Sequence, residues 1–236
     1  MADEILADPT DMDAILLGTD SVPISRPIMF GDIFQDVSCS RGGDAEGLVM
    51  IMSHPCSMRR GAKLKERILT ARVSPFDQNL SSRRWRTGYY DLFPVRGPGG
   101  PSEQYVVELS ELHSADSGCL QLEKRNTSLS DHGVAVLLQR WIYQTSRDPV
   151  PHEDLLELIA PVMAEIEMQE SWCDAALEAA EDRSDDNGVV VNASDSFQSY
   201  IGRPGEGGVR DQIQDASRRA SARRQIRVEI SRRFGA

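Results

Sequence analysis

A chain of 236 residues with 40% hydrophobic and 27% charged side chains can bury one good core and a smaller second unit. Its net charge of −11 excludes a uniformly cationic polyanion binder, and no apolar run approaches the roughly eighteen residues that span a bilayer. The stretch MADEILADPTDMD is acidic where a secretory leader is basic and then apolar, and Cys39, Cys56, Cys119 and Cys173 lack any paired spacing. These features predict a cytoplasmic protein with reduced thiols, no membrane partner and no cofactor.

Taken in chain order, residues 1–26 read as an acidic, disordered segment, because Asp3, Glu4, Asp8, Asp11, Asp13 and Asp20 meet no basic residue in the first twenty. Residues 27–150 read as a small, mainly antiparallel β-barrel with a terminal helix. Its expected strands are Met29 to Val37, Leu48 to Met52, Arg67 to Val73, Tyr89 to Val95 and Tyr105 to Leu109. The glycines and prolines of RGPGGPS mark the turn between the last two. Ser130-Asp131 is the cap of a helix that passes Trp141 and stops near Asp148-Pro149.

Residues 151–183 predict an acidic amphipathic helix, with Leu155, Leu158 or Ile159, Val162, Ile166, Cys173 and Leu177 at helical spacing and Pro161 as an interruption. Residues 184–208 read as a linker. Residues 209–236 read as a basic helix, rich in arginine from Arg210 to Arg233. Opposite charge and a long linker predict that this tail folds back on the acidic helix as a reversible, salt-sensitive latch.

Two stretches carry candidate chemistry. In GLVMIMSHPCSMRRG an apolar strand ends in His54-Pro55-Cys56 and turns basic. Cys56 is a candidate nucleophile, because a neighbouring imidazole and the guanidinium groups of Arg59 and Arg60 would favour its thiolate. The plainer alternative is a strand ended by Pro55, with Cys56 filling a small pocket. A metal site is not indicated, since the motif lacks a second paired set of ligands. The second stretch is basic: Arg59, Arg60, Lys63, Lys65, Arg83, Arg84 and Arg86 lie near the rings of Trp85, Tyr89 and Tyr90. Arginines beside aromatic rings suit single-stranded nucleic acid, with guanidinium groups on phosphates and rings stacked on bases. The competing reading is charge that balances the acidic helix.

The order GDIF, a variable glycine-containing loop, LVMIMS and RILTARVSP, over about residues 27–147, resembles the SH3-like barrel of MazF/PemK-type proteins. The resemblance implies an α+β fold, a small SH3-like barrel with an α-helical C-terminal appendage, and either a ribonuclease toxin or a noncatalytic relative. The toxins carry Arg-Pro before the second strand and Thr after the third; here those places hold Gly47-Leu48 and Ser74-Pro75. Cleavage would require Arg41, Ser74 and His54 as replacements. The sequence therefore predicts a nonenzymatic binding module for a protein or nucleic-acid partner, or for a second copy of itself. A ribonuclease and a Cys56 thiol enzyme are the alternatives.

Overall fold

The structure is a computed structural model that describes residues 6–17, 22–38, 46–60, 63–97, 100–181, 184–202 and 208–235. In chain order the elements are α1 (Met12–Ile15), β1 (Ile33–Ser38), β2 (Glu46–Ile51), α2 (Pro55–Met58), β3 (Arg59–Arg60), β4 (Lys63–Leu64) and β5 (Arg67–Pro75). There follow α3 (Ser82–Thr87), β6 (Leu92–Gly97), β7 (Gly100–Asp116), β8 (Arg125–Thr127), α4 (Asp131–Ser146) and α5 (His152–Ala179). The chain ends in α6 (Asp186–Ile201), α7 (Val209–Gln214) and α8 (Arg219–Phe234). It divides into two compact units. Unit 1 comprises Met1–Val22, Ile28–Met58 and Lys65–Ile159; unit 2 comprises Pro23–Pro27, Arg59–Leu64 and Ala160–Ala236.

Unit 1 is built on an antiparallel sheet in the order β6-β7-β5-β2-β1-β8, curled into a half-barrel. Two irregularities bend it. Between Phe34 and Val37 the pairing of β1 with β2 gains an extra residue, and Asp36 there takes a left-handed conformation. On β7, Leu109, Ser110 and Glu111 bulge out between the pairs Ala71–Leu112 and Arg72–Glu108. An extra residue on one strand bends and twists it, so these bulges curl a sheet that would otherwise stay open and flat.

Both faces of the sheet are buried, Phe34, Ile51 and Ile68 on one and Met50, Phe93 and Val107 on the other, all fully buried. Helix α4 adds Val134, Ala135, Val136 and Leu137, and Ser130 caps it by accepting from the Gly133 N–H, as its sequence predicts. Asp32 is buried beside the start of β1. It accepts from the Met29 N–H, the Ser128 hydroxyl and the Arg125 guanidinium, whose nitrogen is 3.1 Å away. The ion pair and these hydrogen bonds are what permit the charges inside.

The N-terminal segment differs from the expected disorder. Leu6, Ile15 and Leu16 are buried, Leu16 bridges to Leu129, and the Ser130 hydroxyl donates to the Ala14 carbonyl. Apolar residues spaced among the acids dock this segment, which its charge alone conceals. The approach is so close that a β-carbon on Gly133 would lie 2.1 Å from the Ile15 carbonyl oxygen. Gly133→Ala should therefore cost about 2 kcal/mol although alanine is the better helix former, because backbone must move to admit the methyl. Thermal melts and limited proteolysis at residues 6–17 check this; a variant as stable and as protected as the native chain would contradict it.

Unit 2 packs α6, α7, α8 and the later part of α5 around Trp172, which is fully buried. Phe197, Tyr200 and Phe234 surround the indole at 5.5–5.7 Å between ring centroids, and the Arg233 guanidinium lies over it at 5.0 Å. Helix α5 runs through Pro161 as one element. Where a linker was expected over residues 184–208, the structure holds α6. Asp185 caps it, and Val190, Ala193, Phe197 and Ile201 face the core. Tertiary burial here overrides the weak helix propensity of a Val-, Asn- and Ser-rich segment.

The basic tail also departs from expectation. It does meet the acidic helix, through Arg210–Glu165 at 3.5 Å and Arg223–Glu167 at 2.7 Å. Yet Ile213, Ala222, Ile226 and Ile230 are buried. A segment that supplies four core side chains is a structural part of unit 2, not a latch held by surface charge. At the end of that helix, Arg232 and Arg233 hydrogen-bond the Glu229 carboxylate and hold its pKa down at about 2.

Candidate nucleic-acid interface

The motif His54-Pro55-Cys56 is the start of a short helix. Strand β2 ends at Ile51, although the Met52 N–H still donates to the Leu69 carbonyl and the Ser53 hydroxyl accepts from the Leu69 N–H. The His54 carbonyl then accepts from the N–H groups of Ser57 and Met58. Pro55 occupies the first helical position, where its missing N–H is not needed. The His54 ring is exposed, and shielding by neighbouring chain lowers its pKa below the ordinary imidazole value. Cys56 is the second residue of α2; its side chain and the whole of Arg41 lie outside the described residues.

Ser74 sits near the end of β5, where its hydroxyl donates to Glu108, and Glu108 pairs across the strands with Arg72. The register separates it from His54. That histidine leaves the sheet beyond Leu69, and Ser74 is five residues further along β5, about 17 Å at the rise of an extended strand. The two candidates do not share a site.

The basic stretch divides between the two units. Arg59, Arg60 and Lys63 belong to the two-stranded ribbon of unit 2, with Arg59 opposite Leu64 and Arg60 opposite Lys63. Lys65, Arg83, Arg84, Trp85 and Arg86 belong to unit 1. Trp85 is not available for stacking on a base. It is 4% exposed, and its ring packs against Phe76, Tyr89, Leu80 and Val106. Arg86 turns to Asp8 at 3.8 Å, whose carboxyl lies below its usual pKa although burial opposes this; hydrogen bonds from Ser82 and Thr10 and the Arg86 charge prevail. Arg83, Arg84, Lys63 and Lys65 remain exposed.

The ring left outside this cluster is Tyr90. Tyr89 takes a left-handed conformation, with φ of 54°, which carries the chain from α3 towards β6. Arg140, buried in α4, fixes this turn by donating to the Tyr89 carbonyl at 3.0 Å and the Trp85 carbonyl at 2.6 Å. Its guanidinium also lies 5.7 Å from the Trp85 ring centroid. Burial pulls its pKa down to about 10, so it stays charged at neutral pH.

The turn sets Tyr90 edge-on to Tyr143 of α4, with centroids 4.8 Å apart, and the Arg147 guanidinium lies 5.5 and 5.7 Å from the two rings. Arg147 ends α4 in a left-handed conformation, its N–H donating to the Tyr143 carbonyl. Both tyrosines are half-buried and Arg147 is exposed. Burial, then the neighbouring Tyr143 hydroxyl, push the Tyr90 phenol pKa up against Arg147 and Arg140, so the Tyr90 ring is a neutral hydrogen-bonding and stacking surface. Sequence reasoning located Tyr90 but missed Tyr143, Arg147 and the Arg140 support. Tyr143 and Arg147 stand one helical turn apart, a spacing that places them on one face.

Among the described residues no group of three His, Cys, Asp or Glu side chains is placed to hold a metal ion. The rings of His132 and His152 meet edge to face with centroids 4.7 Å apart, and burial, then the neighbouring His152, lower the His132 pKa despite Asp11. Burial pushes the Cys173 thiol up to about 11, leaving it protonated and inert at neutral pH. No helix among the described residues is long and apolar enough to cross a membrane. No protein-family model matches the chain, and no curated protein matches it either.

Proposed function

We propose that the chain is a nonenzymatic binding module whose unit 1 takes a short stretch of single-stranded nucleic acid. The observation that carries this reading is the half-exposed pair Tyr90–Tyr143 with Arg147 against both rings. An unpaired base extends such a stack, and exposed Arg83 and Arg84 on α3 supply cations for flanking phosphates. Asp91 and Asp148, each next in sequence to this cluster, are exposed and repel a long phosphate track. The favoured ligand is therefore a short, unstructured strand. We further propose that the curled sheet is a divergent SH3-like barrel of the MazF/PemK type that keeps ligand binding without cleavage.

The test is fluorescence anisotropy with a labelled single-stranded oligonucleotide, RNA and DNA in parallel, against a duplex of the same sequence. Removal of one stacking ring weakens single-strand binding by about 5- to 150-fold, the equivalent of about 1–3 kcal/mol. Tyr90→Ala should fall in this range, and Arg147→Ala should weaken binding in the same sense. The RNA should be recovered intact. Binding indifferent to both substitutions, or preference for the duplex, would sink the proposal; cleavage of the RNA would favour the ribonuclease alternative.

A further inference from the structure

Three large apolar side chains stand exposed on helices: Leu158 at 70%, Val191 at 55% and Val228 at 65%. A single exposed leucine or valine is ordinary, so exposure alone selects none of them. Their surroundings do. Around Leu158 on α5, Asp154 and Glu157 are exposed and enter no ion pair among the described residues. Around Val228 on α8, Arg224 and Arg227 are likewise exposed and enter none among the described residues, while the nearby Arg232 is held by Glu229. Val191 has only Asn187 and Asp195 one turn away. The first two faces are thus charge-complementary, each an apolar centre flanked by one sign of charge.

We propose that the chain associates with a second copy of itself, the Leu158 face of one copy seating on the Val228 face of the next. The reason is a match of chemistry: two apolar centres lose water against each other, and each unpaired acid finds an unpaired arginine. The two faces differ, so the contact is head-to-tail rather than two-fold. One helix face against another offers less area than a tight interface requires, so the association is weak and depends on protein concentration. It also weakens with salt, because the screening length falls from about 10 Å at 0.1 M to about 3 Å at 1 M.

Sedimentation velocity on the full chain, over a range of concentrations and at both salt levels, tests this. The native chain should associate at low salt and dissociate at high salt. One variant, Arg224→Glu with Arg227→Glu, makes both of its faces acidic; another, Asp154→Arg with Glu157→Arg, makes both basic. Each alone should associate at least about tenfold more weakly than the native chain. Mixed, the two should recover the native association, because every contact between unlike variants then joins opposite charges. That recovery also shows that neither variant has merely misfolded. A native chain that is monomeric at every concentration overturns the proposal, and so does association that neither reversal changes. A monomeric chain that binds the oligonucleotide through Arg224 and Arg227 also overturns it, by giving the arginine face to a polyanion.

Discussion

Arg140→Met is expected to lower the unfolding free energy by about 3 kcal/mol, since hydrogen bonds from charged groups are each worth about 1.5–3 kcal/mol and methionine restores only part of the packing. The native guanidinium is buried and serves two carbonyls, those of Trp85 and Tyr89, from one planar fork. Methionine replaces the aliphatic stem but takes the charged donor from both carbonyls, Tyr89 keeping its bond from the Leu92 N–H, and removes the cation from the Trp85 ring. The consequence is local as well as global, because Tyr89 is held in a left-handed conformation that a bulky residue adopts only under constraint. Amide exchange at residues 85–92 should accelerate beyond the global loss, and oligonucleotide binding should fall with it. Arg140→Lys keeps the charge and loses the fork, so it should recover only part of the stability. Unchanged protection of that turn in the methionine variant would show that Arg140 is not what holds it.

The second large effect concerns the tail. Deletion of residues 204–236 should abolish the cooperative unfolding of unit 2, because it strips away Ile213, Ala222, Ile226 and Ile230 together with the Phe234 and Arg233 contacts to Trp172. A gentler probe is Ile226→Ala, which leaves a cavity and should cost about 3 kcal/mol. Salt separates this account from docking by surface charge. Raising the ionic strength weakens Arg210–Glu165 and Arg223–Glu167 but leaves apolar burial intact, so the tail should keep its amide protection at high salt. A truncated chain in which α5 and α6 remain fully protected would restore the reversible-latch expectation.

What could be read in the sequence followed from how strongly each segment's own pattern spoke. Strand β2 was legible from its uninterrupted apolar run, and β5 from a short apolar and β-branched run closed off by Ser74-Pro75. Helix α4 announced itself through the cap at Ser130. Helix α3 was hidden by its arginines, although a signal was present: Leu80 just before the capping Ser81 and Trp85 on the first turn share one apolar cluster, the pattern of a hydrophobic staple. Helix α6 was hidden by its valines and polar residues, yet Val190, Ala193, Phe197 and Ile201 follow a 3-4-4 spacing. Of the candidate site, the rings after the basic stretch were visible but their roles were not. Trp85 and Tyr90 look alike as letters; only the course of the chain sends one inward and the other to Tyr143 and Arg147.

Unit 2 is assembled from three stretches far apart in the chain, and this bears on how the protein is made. Arg26, in the first stretch, pairs with Glu170 at 2.8 Å across 144 positions. At a synthesis rate of about 5–20 residues per second, the ribosome needs roughly 7–29 s to supply that partner. During this interval the early stretch has no core to join, while every strand of unit 1, from Ile33 to Thr127, is made. Biosynthesis thus imposes an order, the sheet first and the helices last. A nascent chain stalled before α8 emerges from the ribosome should show a protease-resistant sheet and a digestible remainder.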